Sequence, residues 1–377
     1  MSCSSLLVAK HFRQVKDPRV QGRRKHLLVD LVVIAICGVI GGCNDWQQIA
    51  TFAQTRHEWL KRFLRLPHGV PSHDTLERVF DRLDPAVFQA CFREWMQALH
   101  QALGLCPIAI DGKTLRGSGT GGQQALHMVS AWATANHLSL GQVAVAEKSN
   151  EIAAIPKLLE LLDIQGALVT IDAMGCQKEI AARIVEKGGD YLLTVKENQP
   201  KLLEAIQRCF DRAVETDFQG MAHDQFKTVE RRRGEEDLRY YHIITAPPLP
   251  MKDEWKGLSI IGFCYHEWMK DGKPVCETRY FIGSRQATAK YYGNALRGHW
   301  KIENTLHWQL DVTFAEDQNR VSHKHAAENL ALVRRLALSL LKQHPDKKSI
   351  ACKRLKAAMD PEFLLEIANL AGSSEKI

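Results

Sequence analysis

The sequence predicts an α/β protein in which helices pack on a mixed sheet, with a helical region before it and a β-rich segment within it. Apolar residues recur at helical spacing through the first hundred positions. From position 107, short apolar strands first follow one another and then alternate with helices. Between 226 and 285 the residues alternate as in antiparallel strands. The 377 residues are enough for two or three domains.

Residues 1–105 are expected to form a helical N-terminal domain. Its most apolar stretch, LVVIAICGVIGGC at 31–43, is too short to span a bilayer and predicts a buried helix. Ser72 is placed as an N-cap before apolar residues at helical spacing, such as Leu76 and Val79. The segment QGRRKH (21–26) gives this domain a basic patch, which is either a binding face or a solvated surface.

Residues 106–200 carry the first part of the predicted core. The strands are IAID (108–111), segments within 127–150, ALVTIDA (167–173) and DYLLTVKEN (190–198). Helical patterns at 151–162 and 177–189 separate the later strands, and glycines close the second helix. Strands that run in succession and then alternate with helices predict a mixed sheet covered by helices.

Residues 201–286 are predicted to be a β-rich insertion, in which Asp271-Gly272 marks a hairpin turn. Helix returns at 287–310 and again at 325–343, so 287–345 is assigned to the remainder of the core. Residues 346–377 are assigned to a C-terminal tail.

Composition excludes several classes of protein. The chain is 45% hydrophobic and 25% charged, as expected for packed domains. The N-terminus lacks a signal-peptide pattern, and the ten cysteines contain no CxxC pair, which favours a cytoplasmic protein with reduced thiols. Residues 1–110 carry 14 Lys and Arg against 9 Asp and Glu, whereas 111–200 carry 8 against 10. This asymmetry fits either a solvated surface or a cation centre framed by a polyanion-binding surface.

Three carboxylates are the candidate metal-binding residues. Asp111 and Asp172 end strands that could be neighbours in the sheet, where two bare carboxylates would repel unless a divalent cation neutralised them. Oxygen ligands suit Mg²⁺ or Mn²⁺. Glu303 is the best third ligand, because a helix would place His299 and His307 one turn to either side of it.

Each of these residues also has a purely structural interpretation. A strand-end aspartate is often a cap or turn residue, and Glu303 beside Lys301 could be a solvated pair. Nearby acids compete for the role of third ligand: Asp311, Glu316 and Asp317. Two histidines around Glu303 raise the possibility of zinc, but HEXXH spacing is absent.

Taken together, the segments resemble the H-repeat-associated family of bacterial insertion-sequence transposases, which have a DDE site on a ribonuclease-H-like core. The resemblance runs nearly end to end. It is carried by DPRVQGRRKHLLVDLVVIAICGVIGG, PSHDTLERVFDRLDP, IAIDGKTLRGS, TIDAMGCQKEIAARIVEKGGDYLLTVKENQP, RGHWKIENTLHWQLDVTFAEDQNR and ENLALVRRLALSLL.

The resemblance implies a metal-binding triad of Asp111, Asp172 and Glu303 that holds two Mg²⁺ (or Mn²⁺) ions. It implies double-stranded DNA as partner, both element terminal repeats and target, with a homodimer on the DNA and no membrane, in the cytoplasm at the nucleoid. The candidate DNA contacts are Arg23, Arg24, Lys25, Lys113, Arg116, Lys196, Arg297, His299 and Lys301.

The resemblance also contains one departure. Related transposases with a β-insertion often carry Tyr-x2-Arg-x3-Glu-x6-Lys around the glutamate, and here Leu296, His299 and Leu310 occupy the other three positions. Arg297 and Lys301 are the available substitutes. The expected function is metal-dependent DNA cleavage and strand transfer. The alternatives are a nuclease on the same core and an inactive DNA-binding remnant.

Overall fold

The structure is a computed structural model that describes residues 11–12, 15–119, 124–145, 151–232, 235–321 and 323–369. The chain divides into two compact units, each built from separate segments. The first unit contains Met1–Gly104, Gly112–Asn150 and Glu303–Ile377, and the second contains Leu105–Asp111 and Glu151–Ile302.

The helices and strands of the described residues are numbered in chain order. The α-helices are α1 (Leu28–Ile40), α2 (Trp46–Thr55), α3 (His57–Leu60), α4 (His73–Arg82), α5 (Pro85–Ala102), α6 (Glu151–Leu161), α7 (Lys178–Glu186), α8 (Pro200–Glu215), α9 (Ala289–Trp300), α10 (Lys324–Gln343), α11 (Ile350–Met359) and α12 (Pro361–Asn369). The strands are β1 (Ile108–Thr114), β2 (His127–Ala133), β3 (Leu138–Val145), β4 (Leu168–Ile171), β5 (Asp190–Val195), β6 (His223–Arg232), β7 (Glu235–Thr245), β8 (Ile260–Lys270) and β9 (Lys273–Gly283).

The strands form one mixed sheet in the order β3-β2-β1-β4-β5-β9-β8-β7-β6. β1, β4 and β5 are parallel, while β9 pairs antiparallel with β5. The β-rich insertion therefore adds strands to the core sheet and does not form a sheet of its own. The predicted α/β fold class, a mixed sheet flanked by helices with a β-rich insertion and a helical N-terminal region, is confirmed.

The first unit packs around α1, which carries a long apolar run, and α10, most of whose apolar residues are buried. In α1, twelve of thirteen residues are buried, among them Asp30, whose Oδ2 accepts a hydrogen bond of 3.0 Å from the Leu66 amide. Asn329 of α10 donates to the carbonyls of Phe80 and Leu83 at 2.7 and 2.9 Å, which satisfies the C-terminus of α4. The helices predicted for 1–105 thus share a core with helices from the end of the chain.

The second unit packs α9 on the inner strands of the insertion. Its core includes Leu192, Tyr241, Phe281 and Tyr292, all at most 1% exposed. Gly283 is needed there, because a Cβ atom on it would lie 2.5 Å from the Tyr292 hydroxyl. This packing fixes α9, the helix that leads into Glu303.

Two segments differ from the local expectations. The helix expected over 287–310 ends at Trp300, and wider π-helical turns follow at Glu303–His307 and Gln309–Thr313. Buried Leu306, Leu310 and Phe314 recur every four residues, a spacing that stays on one face when the helix widens beyond 3.6 residues per turn. The segment 346–377, expected as a tail, contains α11 and α12.

Candidate active site

The second unit places two of the candidate carboxylates side by side. β1 and β4 are parallel, and Ile110 of β1 pairs with Ile171 of β4. Asp111 and Asp172 each follow directly on this last pair, so they are neighbours at the point where β4 ends, while β1 continues to Thr114. Ligand sites in open α/β sheets form at such strand ends. The sequence predicted that the two strands lie side by side, but it placed the end of the first strand at Asp111, whereas β1 continues to Thr114.

Asp172 is held in place by the turn that follows it. Its Oδ1 accepts hydrogen bonds from the amides of Met174 (3.1 Å) and Gly175 (3.4 Å), which leaves Oδ2 for another ligand. Partial desolvation raises the pKa of Asp172, and the negative charge of Glu151 acts in the same direction. The two amide hydrogen bonds and Lys196 oppose this rise.

Glu151 is a residue that the sequence interpretation passed over. It opens α6, it is 6% exposed, and it lies close enough to Asp172 to perturb that carboxyl group. The available signal was its position as the first residue of a helix that leads back onto the sheet. Acidic side chains gathered at a strand end are the oxygen donors that Mg²⁺ and Mn²⁺ prefer, so the residues of this edge fit a divalent cation.

Glu303 belongs to the first unit, where it begins the π-helical turns. Its side chain is 71% exposed, and its Oε2 lies 3.6 Å from Nδ1 of the buried His307. The carboxylate is therefore exposed, and one of the two histidines expected beside it, His307, is its neighbour.

Lys113 was expected to reach DNA phosphates, and the structure gives it a different position. Its side chain is 7% exposed, and Nζ lies 2.6 Å from Asp311 and 3.0 Å from Asp317. Burial raises the pKa of Asp311, with Asp317 and Glu316 acting in the same direction and Lys113 against it. The last residues of β1 belong to the first unit. Through Lys113 they form ion pairs with the segment that follows Glu303.

Gly117 completes this junction within the first unit. A Cβ atom at Gly117 would lie 2.0 Å from the Asn319 carbonyl oxygen and 2.8 Å from that of Asp317. The backbones of the LRGS and EDQN segments therefore meet at a distance that only glycine allows. Glu316 is anchored beside them by Arg335 at 3.0 Å. The LRGS and EDQN segments are therefore packed directly against each other.

The other candidate DNA contacts fall into two groups. Arg297 is paired with Glu230, and His299 is buried with Nδ1 3.0 Å from the Thr170 hydroxyl, so both make internal contacts. By contrast, the remaining candidates in this part of the protein are exposed: Arg116, Lys196 and Lys301.

The cationic side chains of the QGRRKH segment (21–26) are only partly available to a ligand. Arg24 donates to the carbonyl oxygens of Arg19 (2.8 Å) and Asp17 (3.2 Å), which ties its guanidinium to its own loop. Lys25 is exposed. The side chain of Arg23 lies outside the described residues.

A model of the transposase DDE domain matches residues 103–340, and a model of the domain associated with it matches residues 9–96. The candidate transposase YncI of Escherichia coli O157:H7 is 41% identical over 384 residues, which covers 100% of this chain and 96% of that protein. The H repeat-associated candidate transposase YhhI of Escherichia coli K12 is 38% identical over 374 residues, 97% of each chain.

Two further matches are more limited. A relative named as the inactive transposase YbfQ, from Escherichia coli K12, is 34% identical over 70 residues, 19% of this chain and 83% of that one. Among solved structures, the piggyBac transposase synaptic complex with hairpin DNA has a TM-score of 0.41 and 10% identity, covering 100% of this chain and 80% of that one.

Proposed function

Because the chain belongs to the transposase DDE-domain family, among its H repeat-associated members, we propose that it is a transposase that cleaves and joins DNA strands at the ends of an insertion-sequence element. The observation that carries the proposal is the pair Asp111 and Asp172, which are neighbours on two parallel strands, β1 and β4, within the matched domain. Its expected partners are the element's terminal repeats and target DNA, with two copies of the chain acting together at the nucleoid.

We assign the binding of divalent cations, Mg²⁺ or Mn²⁺, to Asp111, Asp172 and Glu303. The assignment of Glu303 follows the family motif. When bound, two such cations supply Lewis acidity for in-line displacement at phosphorus, with water or a 3′-hydroxyl as nucleophile.

The chain's own residues orient and balance this site. The Met174 and Gly175 amides hold one oxygen of Asp172, so the other keeps a fixed direction. Lys196 is exposed, and its positive charge favours the ionised form of Asp172. We therefore assign contact with the scissile phosphate to this ammonium group. End recognition is assigned to the N-terminal segment.

Two alternatives remain from the same core. A nuclease would cleave without joining ends, and an inactive remnant would bind DNA without cutting it. The remnant has a specific observation in its favour, because one relative is named as an inactive transposase.

The test is cleavage of a DNA fragment that carries the element's own flanking ends, with Mg²⁺ or Mn²⁺. We expect metal-dependent cutting at the ends by the native chain and its loss in Glu303→Gln. Glu204→Gln is the matched control, because Glu204 is exposed and pairs only with its helix neighbour Arg208 among the described residues. Cutting by Glu303→Gln would refute the triad, cleavage without transfer of a pre-cut end would support the nuclease, and binding without cutting would support the remnant.

A further inference from the structure

A small basic cavity lies in the first unit, between residues 19–26 and α4. Its volume is about 210 Å³, and its polar lining consists of Arg19, Lys25, His26, Thr75, Arg78 and Arg82. Val79 forms an apolar floor. The cavity is smaller than the roughly 300–1,000 Å³ of sites for drug-sized ligands, so it fits a single small group. No acidic side chain lines it among the described residues.

Three of the cations remain unneutralised by the protein. Within the described residues, Lys25, Arg78 and Arg82 have no carboxylate within the 4.0 Å of an ion pair. Helix α4 carries three acids: Asp74 lies 3.2 Å from His73, Asp81 lies 3.7 Å from His323, and Glu77 lines a different cavity. Cations gathered around one cavity repel each other, and an anion that enters it relieves that repulsion.

The cavity is also pre-organised. Arg78 and Arg82 are one helical turn apart on α4, and Nε of Arg78 donates 3.0 Å to the Asp74 carbonyl, which limits its rotamers. Arg19 is held by both oxygens of Asp17 and donates 2.7 Å to the His26 carbonyl. The lining therefore needs little rearrangement to receive a ligand.

We propose that this cavity binds a backbone phosphate of duplex DNA, with Arg78 and Arg82 as its main cationic contacts and Lys25 at its rim. The inference rests on the proposed function and extends it, because it adds Arg78 and Arg82 of α4 to Lys25 of the QGRRKH segment as DNA contacts. Guanidinium groups form charge-assisted hydrogen bonds with phosphate oxygens. A backbone phosphate carries no base identity, so this contact positions the N-terminal segment on DNA without reading sequence.

The experiment measures binding of the full chain to a short fluorescent DNA duplex over a range of KCl concentrations. The variants are Arg78→Gln/Arg82→Gln and, away from the helix, Lys25→Gln. The control is Lys61→Gln/Arg62→Gln, which removes the same charge from two exposed residues that pair with Glu58 and Glu362. We expect the Arg78/Arg82 variant to lose affinity by on the order of tenfold, and its salt slope to fall by about 1 relative to the control.

The outcomes separate this inference from the proposed function. Equal affinity and slope in the cavity variants and the control would overturn the inference, while end cleavage by the native chain would leave the proposed function intact. Failure of the native chain to bind DNA would overturn both. Thermal stabilisation by inorganic phosphate that depends on Arg78 and Arg82, with DNA affinity unchanged in the variants, would show a free-anion site. Tighter binding of RNA than of duplex DNA would also overturn the proposal.

Discussion

At the scale of single residues, Lys113 shows how a motif cation can have a structural role. Its ammonium is buried between Asp311 and Asp317, which are partly exposed. Replacing it with methionine leaves two carboxylates facing each other without a counter-charge. Because water reaches both acids, we expect Lys113→Met to lower the free energy of unfolding by on the order of 2 kcal/mol, less than for a fully buried pair. Urea denaturation measures this change.

Lys61→Met is the control for that substitution, since Lys61 forms an exposed pair with Glu58 and exposed pairs contribute about 0–1 kcal/mol. If both variants unfold at the same urea concentration as the native chain, the buried pair is not a stabilising contact.

Gly117 leads to a second prediction at this scale. The Cβ atom of Gly117→Ala would overlap the Asn319 carbonyl at 2.0 Å, so the two segments must move apart. We expect a loss of about 1–3 kcal/mol in stability, as for other overpacked sites. Gly22→Ala is the matched control, because a Cβ atom there meets nothing within 4 Å. A thermal melt in which Gly117→Ala and Gly22→Ala coincide would contradict the close approach.

The candidate residues differ in how far sequence alone could place them. Asp111 and Asp172 were predictable as neighbours because each follows a short apolar run, which is a local feature, although β1 continues past Asp111 to Thr114. The partners of Lys113 lie about two hundred residues away, and no periodicity signals such a contact. Arg78 and Arg82 were hidden for a related reason: their helix was recognised from its apolar face, and the exposed face showed only ordinary charges.

At the scale of elements, the insertion contains a pair of histidines that gives a pH prediction. Nε2 of His223 in β6 lies 3.1 Å from Nδ1 of His242 in β7, and their rings stack between Phe218 and Phe263. Burial lowers the pKa of both histidines below the ordinary value of 6.5. The folded chain therefore favours the neutral rings.

The lowered pKa values determine how stability changes with pH. The stabilisation is complete above pH 6.5 and is lost as the pH falls through the lowered pKa values of the folded state, because the unfolded chain takes up protons first. We expect the urea midpoint of the native chain to fall between pH 7.5 and pH 5 by more than that of His223→Gln/His242→Gln. Parallel pH profiles for the two proteins would show that the pair contributes nothing to pH dependence.

The turns around Glu303 mark the limit of element prediction from sequence. The pattern HWKIENTLHWQL reads as helix, and helical winding is what the structure shows. The four-residue spacing of the buried Leu306 and Leu310 does not by itself distinguish α from π winding.

At the scale of the whole molecule, binding of a divalent cation should stabilise the fold. We expect Mn²⁺ to raise the thermal midpoint of the native chain by a few degrees, since a ligand that binds only the folded state stabilises it. Asp172→Asn should lose this shift, whereas Asp253→Asn, an exposed aspartate in another turn, should keep it. An equal shift in all three proteins would place the cation elsewhere.

Among the described helices, none is long and apolar enough to cross a membrane.

The interleaving of the two units along the chain has a consequence for synthesis on the ribosome. The N-terminal helices emerge first, but α4 completes its hydrogen bonds only with Asn329 of α10, which is made some 250 residues later. During that interval the apolar faces of these helices depend on chaperones or on transient partners. A frameshift or stop codon before α10 should therefore yield a product open to proteolysis, and not a working DNA-binding fragment.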